Sequence, residues 1–140
     1  MEKAIIVRLH KDFEKSVYMD QETGLEFWLA RELQNLLGYA QWRSFEAVIE
    51  KAKTACKNSG HNPQDHFAQT RKMVDIGSGA ERQIDDIALT RYACYLIAQN
   101  GDPSKDQIAF AKHILLFRHA GRRLLKKELL KLNGSMQGGN

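Results

Sequence analysis

Apolar side chains recur along this chain in two rhythms that alternate several times. Near the start, Ile5, Ile6, Leu9 and Phe13 share one face of a 3.6-residue period, with Arg8, Lys11, Asp12 and Lys15 on the other. That spacing predicts an amphipathic helix from Glu2 to about Ser16. Val17 to Met19 and Glu26 to Trp28 flank a DQETG turn and predict a short hairpin. Phe27 and Trp28 alternate on its second strand, so one should be buried and the other partly exposed. Leu29 to Leu37 reads as a compact helix stopped by Gly38. A longer helix then runs from about Gln41 to Asn58, with Trp42, Phe45, Val48, Ile49, Ala52 and Cys56 facing inward. After a linker holding Pro63 and a turn at Gln64 to Ala68, the rhythm changes to two. Lys72 to Ile76 and Glu81 to Ile87 bracket GSGA, a two-stranded ribbon with a glycine-rich tip.

The next stretch is apolar almost all round. Leu89, Tyr92, Ala93, Leu96 and Ile97 fall at helical spacing, and Ala88, Cys94, Tyr95 and Ala98 fill the remaining circumference. A helix of that kind belongs at the centre of a core. Asn100-Gly101 should end it, with Gly101 expected in the left-handed region. Asp102 is placed to cap the next helix and Pro103 to occupy its first position. The expected fold is α+β: a mostly helical single domain with small β-hairpins and a helix-turn-helix-like element.

Composition sharpens this picture in three ways. A chain of 140 residues, 43% of them hydrophobic, suits one domain with a real core. No apolar run reaches transmembrane length, and the opening MEKAIIVRLHKD lacks signal-peptide architecture. The expectation is a soluble cytoplasmic protein, nucleoid-associated if it meets DNA, with no membrane partner. Cys56 and Cys94 both lie in helical apolar patterns and read as buried thiols. The net charge of +4 is uneven: from Lys112 onward there are seven Lys/Arg against one acid, or +6, whereas the preceding 111 residues hold 14 bases and 16 acids, or −2. The basic excess therefore lies entirely in the tail.

Candidate chemistry is sparse. A helix, a tight glycine turn and a second helix form the skeleton of helix-turn-helix DNA readers. The first turn of that second helix offers Gln41, Arg43 and Ser44 for base edges and phosphates, and the ribbon adds Arg71, Lys72 and Arg82 as a wing. The competing reading is a plain αα-hairpin with solvated polar residues, and Glu46, Glu50, Asp85 and Asp86 would weaken phosphate contact nearby. Tyr39, Trp42 and Phe45 suit stacking on unpaired bases or core packing, with Trp42 the better stacking candidate at a helix start. Cys56, His61, Asp65 and His66 give C-x4-H-x4-H, which matches no common zinc pattern. Asp85 and Asp86 should point to opposite faces of a strand. With no phosphate loop, dinucleotide fingerprint or nucleophilic triad, the expectation is a non-enzyme without cofactor, metal or small-molecule substrate. The tail helix, Leu115 to Leu132, could lie on an anionic surface or be a fortuitous basic helix.

Several strings carry a family resemblance: FWLARELQNLLGY (27–39), WRSF (42–45), CKNSGH (56–61), DHF (65–67), GSGAER (77–82) and TRYACYLIAQNGDPSK (90–105). In order, from about Ile6 to Ala111, they resemble the Bro-N-type domain that opens the bacterial DNA-damage-inducible protein D family. The resemblance implies a domain at 1–111 and a non-catalytic role in the SOS response. That role is engaging single- or double-stranded DNA, or the recombinase filament or another repair protein on it. The alternative it leaves open is a protein-interaction module of phage antirepressor type. The tail departs from this pattern. A permitted codon set for KHILLFRHAGRRLLKKE, with one C restored ahead of it, reads QTYFAVQTRRQE in the next frame, which resembles the family's continuation. We therefore expect a single-base frameshift near Ala111, residues 112–140 as a basic extension, and a disordered GSMQGGN end. Oligomeric state is not set by the sequence.

Overall fold

The computed structural model describes residues 2–101, 106, 109–112 and 114. The expected cap at Asp102, Pro103, the side chain of Ile5 and the tail beyond Ile114 lie outside the described residues. Helix α1 (Glu2–Lys15) leads into a short hairpin of β1 (Tyr18–Met19) and β2 (Glu26–Leu29). Helices α2 (Ala30–Leu36) and α3 (Trp42–Asn58) follow, then a 3-10 turn at Pro63–Asp65. A long hairpin of β3 (Phe67–Gly77) and β4 (Ala80–Leu89) precedes α4 (Arg91–Asn100), and Asp106, Ala109 to Lys112 and Ile114 are again helical.

The sheet is antiparallel throughout, in the order β1-β2-β4-β3. Trp28 lies opposite Leu89 and Leu89 opposite Phe67, so these three share the face that is buried against the helices. Leu29, Ala88 and Ala68 share the opposite face, which is only partly covered. As expected from alternation, Trp28 is buried and Phe27 half-buried. The ribbon extends beyond the expected Lys72–Ile76 and Glu81–Ile87 mainly at its base, where β3 begins at Phe67, inside the stretch read as a turn, and β4 runs on to Leu89.

Ala88 and Leu89 belong to β4, where the apolar count had placed them on the central helix. Thr90 marks the true boundary: its side chain accepts the Ala93 N–H at 3.1 Å and caps α4. From there the helix is central as expected, with Ala93, Cys94, Leu96, Ile97 and Ala98 buried. Gly101 is a second correction. Its φ is −92°, not left-handed, and a Cβ there would stand 2.5 Å from the Tyr39 hydroxyl and 3.2 Å from Val48. The glycine is needed for close packing.

One buried ion cluster ties the ends of the domain together. Arg91 is 3% exposed, yet its guanidinium binds Glu14 through two nitrogens (2.7 and 2.9 Å) and Glu26 at 2.8 Å, and reaches the Ile114 carbonyl at 3.3 Å. The same group lies 4.9 Å from the Trp28 ring, which stacks on Phe13 at 4.3 Å. Burial pulls the Arg91 guanidinium down, but the bonds to Glu14 and Glu26 outweigh it and hold it above its ordinary value.

Candidate functional site

The helix pair at the front of the domain is assembled partly from outside itself. Leu29, at the N-cap of α2, makes no capping bond. Asp86 of β4 supplies one instead: its buried Oδ1 accepts the Arg31 N–H at 3.0 Å and the Ile87 N–H at 2.8 Å. At the other end, Gly38 (φ +82°) closes α2. Tyr39 N–H donates to Gln34 O and Gly38 N–H to Asn35 O, the paired bonds of a left-handed helix stop. Residues 37–41 then join α2 to α3.

The first turn of α3 is open. Gln41 at its N-cap makes no side-chain cap, and no acidic residue lies in that turn. Gln41, Arg43 and Ser44 are exposed, whereas Phe45 is fully buried against Tyr39, with ring centroids 5.0 Å apart. Trp42 is half-buried, and the Arg31 guanidinium lies 4.2 Å from its ring centroid. Arg31 Nε also donates to the Asp85 carbonyl at 2.7 Å, so this cation bridges the start of α3 to β4. Nothing in the sequence singles out Arg31, because its role depends on β4 passing alongside.

The hairpin divides the three expected wing residues between its faces. Arg71 lies opposite Asp85 and Lys72 opposite Ile84, so their side chains point to opposite sides. Arg82 shares the face of Lys72. Lys72 is held by Glu32 at 3.5 Å, and the same carboxylate accepts the Tyr18 hydroxyl at 2.6 Å, which pushes the Tyr18 phenol up to about 12. Arg71 is exposed on the other face and donates to Gln83 at 3.4 Å. Of the acids expected to interfere, Asp86 is buried and Glu50 pairs with Lys53 at 3.3 Å.

The histidine cluster is a packing unit. His66 is 1% exposed, and its ring meets those of His61 and Tyr92 edge-on at 5.7 and 5.0 Å. Its Nδ1 lies 2.7 Å from the Thr90 hydroxyl, and burial followed by the His61 charge lowers it to about 4. Cys56 is buried and raised to about 11 by that burial and by Asp65, which leaves it a protonated thiol at neutral pH. Among the described residues, no three His, Cys, Asp or Glu side chains converge as a metal ion would need, and no helix is long and apolar enough to cross a membrane. A cleft of about 480 Å³ opens between the β1–β2 turn and the 3-10 turn, floored by Phe27, Ala68 and Ala88. Asp20, Glu26 and Asp65 are among its lining residues.

The chain belongs to the BRO family: that family's N-terminal domain matches residues 15–115. The chain is also similar to DNA damage-inducible protein D of Escherichia coli (strain K12), with 44% identity over 122 residues. That stretch covers 87% of this chain and 44% of the relative, so the chain spans less than half the relative's length. No solved structure gives a significant match.

Proposed function

We propose that this domain is a non-catalytic DNA-binding unit acting in the response to DNA damage. The reading is carried by the open first turn of α3: an uncapped, acid-free helix start presenting Gln41, Arg43 and Ser44, flanked by the Arg31–Trp42 stack. Free backbone N–H groups there favour a phosphate, and the side chains can reach base edges. Membership of the BRO family and the name of the Escherichia coli relative support the same direction.

Fluorescence anisotropy with single- and double-stranded oligonucleotides tests it. With about three phosphates neutralised, affinity should fall roughly 40-fold between 50 and 200 mM salt. Gln41→Ala with Arg43→Ala should weaken binding about tenfold and flatten that salt slope by about one. Binding unchanged in the double variant would assign any DNA affinity to the basic tail and overturn the site.

The charge of −2 over residues 1–111 favours a second reading, a module that binds a repair protein such as the recombinase filament on single-stranded DNA. It predicts capture of that filament with no affinity for bare DNA. An antirepressor-type module would instead capture a repressor.

A further inference from the structure

Strand β3 is an edge. It pairs with β4 on one side, and its eleven residues present the other side unpaired within the sheet. Such edges are ordinarily blunted by proline, charged side chains, a central bulge or a cover, and of these β3 carries the charges Arg71, Lys72 and Asp75. Here there is no proline, and the register irregularity falls only between Asp75 and Gly77, at the tip. Met73 is 49% and Ile76 59% exposed, among the largest apolar exposures of the described residues.

The direction of the edge groups follows from one bond. Thr90 N–H donates to the His66 carbonyl at 3.2 Å, so His66 turns its carbonyl toward the β4 side. Alternation then turns the N–H and C=O of Gln69, Arg71, Met73 and Asp75 toward the free edge. Two copies meeting on a two-fold axis must pair β3 antiparallel, and each centre of pairing gives a different charge pattern. Centred on Arg71, Lys72 or Asp75, the pairing sets a like charge against itself. Centred on Val74, it sets Arg71 opposite Gly77 and Asp75 opposite Met73. Centred on Met73, it sets Arg71 opposite Asp75 at both ends and Met73 against Met73, and the backbone groups of these residues point outward. Among the described residues neither Arg71 nor Asp75 is engaged in an ion pair: Arg71 bonds the neutral Gln83, and Asp75 accepts the Gly77 N–H at 2.8 Å.

We propose that a second copy of this chain docks edge to edge on β3, with Met73 on the two-fold axis and reciprocal Arg71–Asp75 pairs. The ribbons then form a continuous sheet across the dimer. Sedimentation equilibrium of the full chain should show self-association in the micromolar range. Arg71→Asp makes both positions acidic and Asp75→Arg makes both basic, so each variant alone should associate at least tenfold more weakly. Mixed in equal amounts, the two should associate with each other, since every contact is then attractive. Met73→Cys should give a disulfide-linked dimer on mild oxidation, because facing residues of this kind have Cα atoms about 5.5 Å apart, within disulfide range. A wild-type chain monomeric at 100 μM overturns the proposal. So do charge variants that dimerise like wild type, a mixture that stays monomeric, or failure of Met73→Cys to crosslink.

Discussion

His66 is neutral because it has no room to be anything else. Its Nδ1 is hydrogen-bonded to the Thr90 hydroxyl at 2.7 Å, and the same Thr90 oxygen accepts the Ala93 N–H. Nε2 is buried with no hydrogen-bond partner among the described residues. The folded chain therefore holds the ring near 4, whereas the unfolded chain binds a proton near 6.5. The unfolded state binds more protons between those values, so stability is full above about 6.5 and declines as pH falls toward 4. The difference corresponds to roughly 3 kcal/mol. Urea denaturation at pH 7 and pH 4 should show this loss in wild type beyond that in His66→Phe; equal losses would refute it. The residue types at this spot were legible as a Cys/His string, but its apolar packing against Tyr92 was not. Sequence spacing carries no information about which ring lands on which. Gly101 makes the same point: its necessity comes from Tyr39 and Val48, more than fifty residues away.

Among the elements, α2 is the least self-sufficient. It has seven residues and no cap of its own, and its start is anchored by Asp86 across the sheet. Asp86→Ala removes that tertiary cap and should cost about 1–2 kcal/mol, measured from urea midpoints at constant m-value. Asp86→Asn keeps an acceptor oxygen and should cost less. If Asp86→Ala were silent, α2 would be held by its apolar face alone. The α3 helix contrasts with it. Of its expected inward positions, Phe45, Val48, Ile49, Ala52 and Cys56 are buried and Trp42, at the helix start, is half-buried, because a 17-residue amphipathic helix states its own face. The short helix and the polar ribbon bury too little to do so.

Across the whole molecule, Arg91 joins α1, β2, α4 and the helical segment holding Ile114. Replacing it removes the charge-paired bonds it makes to Glu14 and Glu26. Arg91→Met should therefore cost about 3–5 kcal/mol, with loss of amide protection in α1 first, as hydrogen exchange would show. Arg91→Lys should recover only part of this, since an ammonium cannot reproduce the forked contact. Unchanged α1 protection in Arg91→Met would mean the cluster does not hold the N-terminal helix. The sheet leaves a partly covered face and a free edge, and these surfaces, with the α3 turn, are where partners are to be sought.

The order of elements, the central position of the YACYLI helix, the α+β class and the burial of both cysteines were set by the chain's own periodicities. Apolar residues repeating at helix or strand spacing have one face to hide, whatever lies opposite. What tertiary structure alone decided were contacts between distant segments. Arg31 was brought beneath β4, Lys72 and Arg82 were turned away from Arg71, and Arg91 was closed inside two glutamates. Polar partnerships of that kind depend on direction and distance in space, which no one-dimensional spacing encodes.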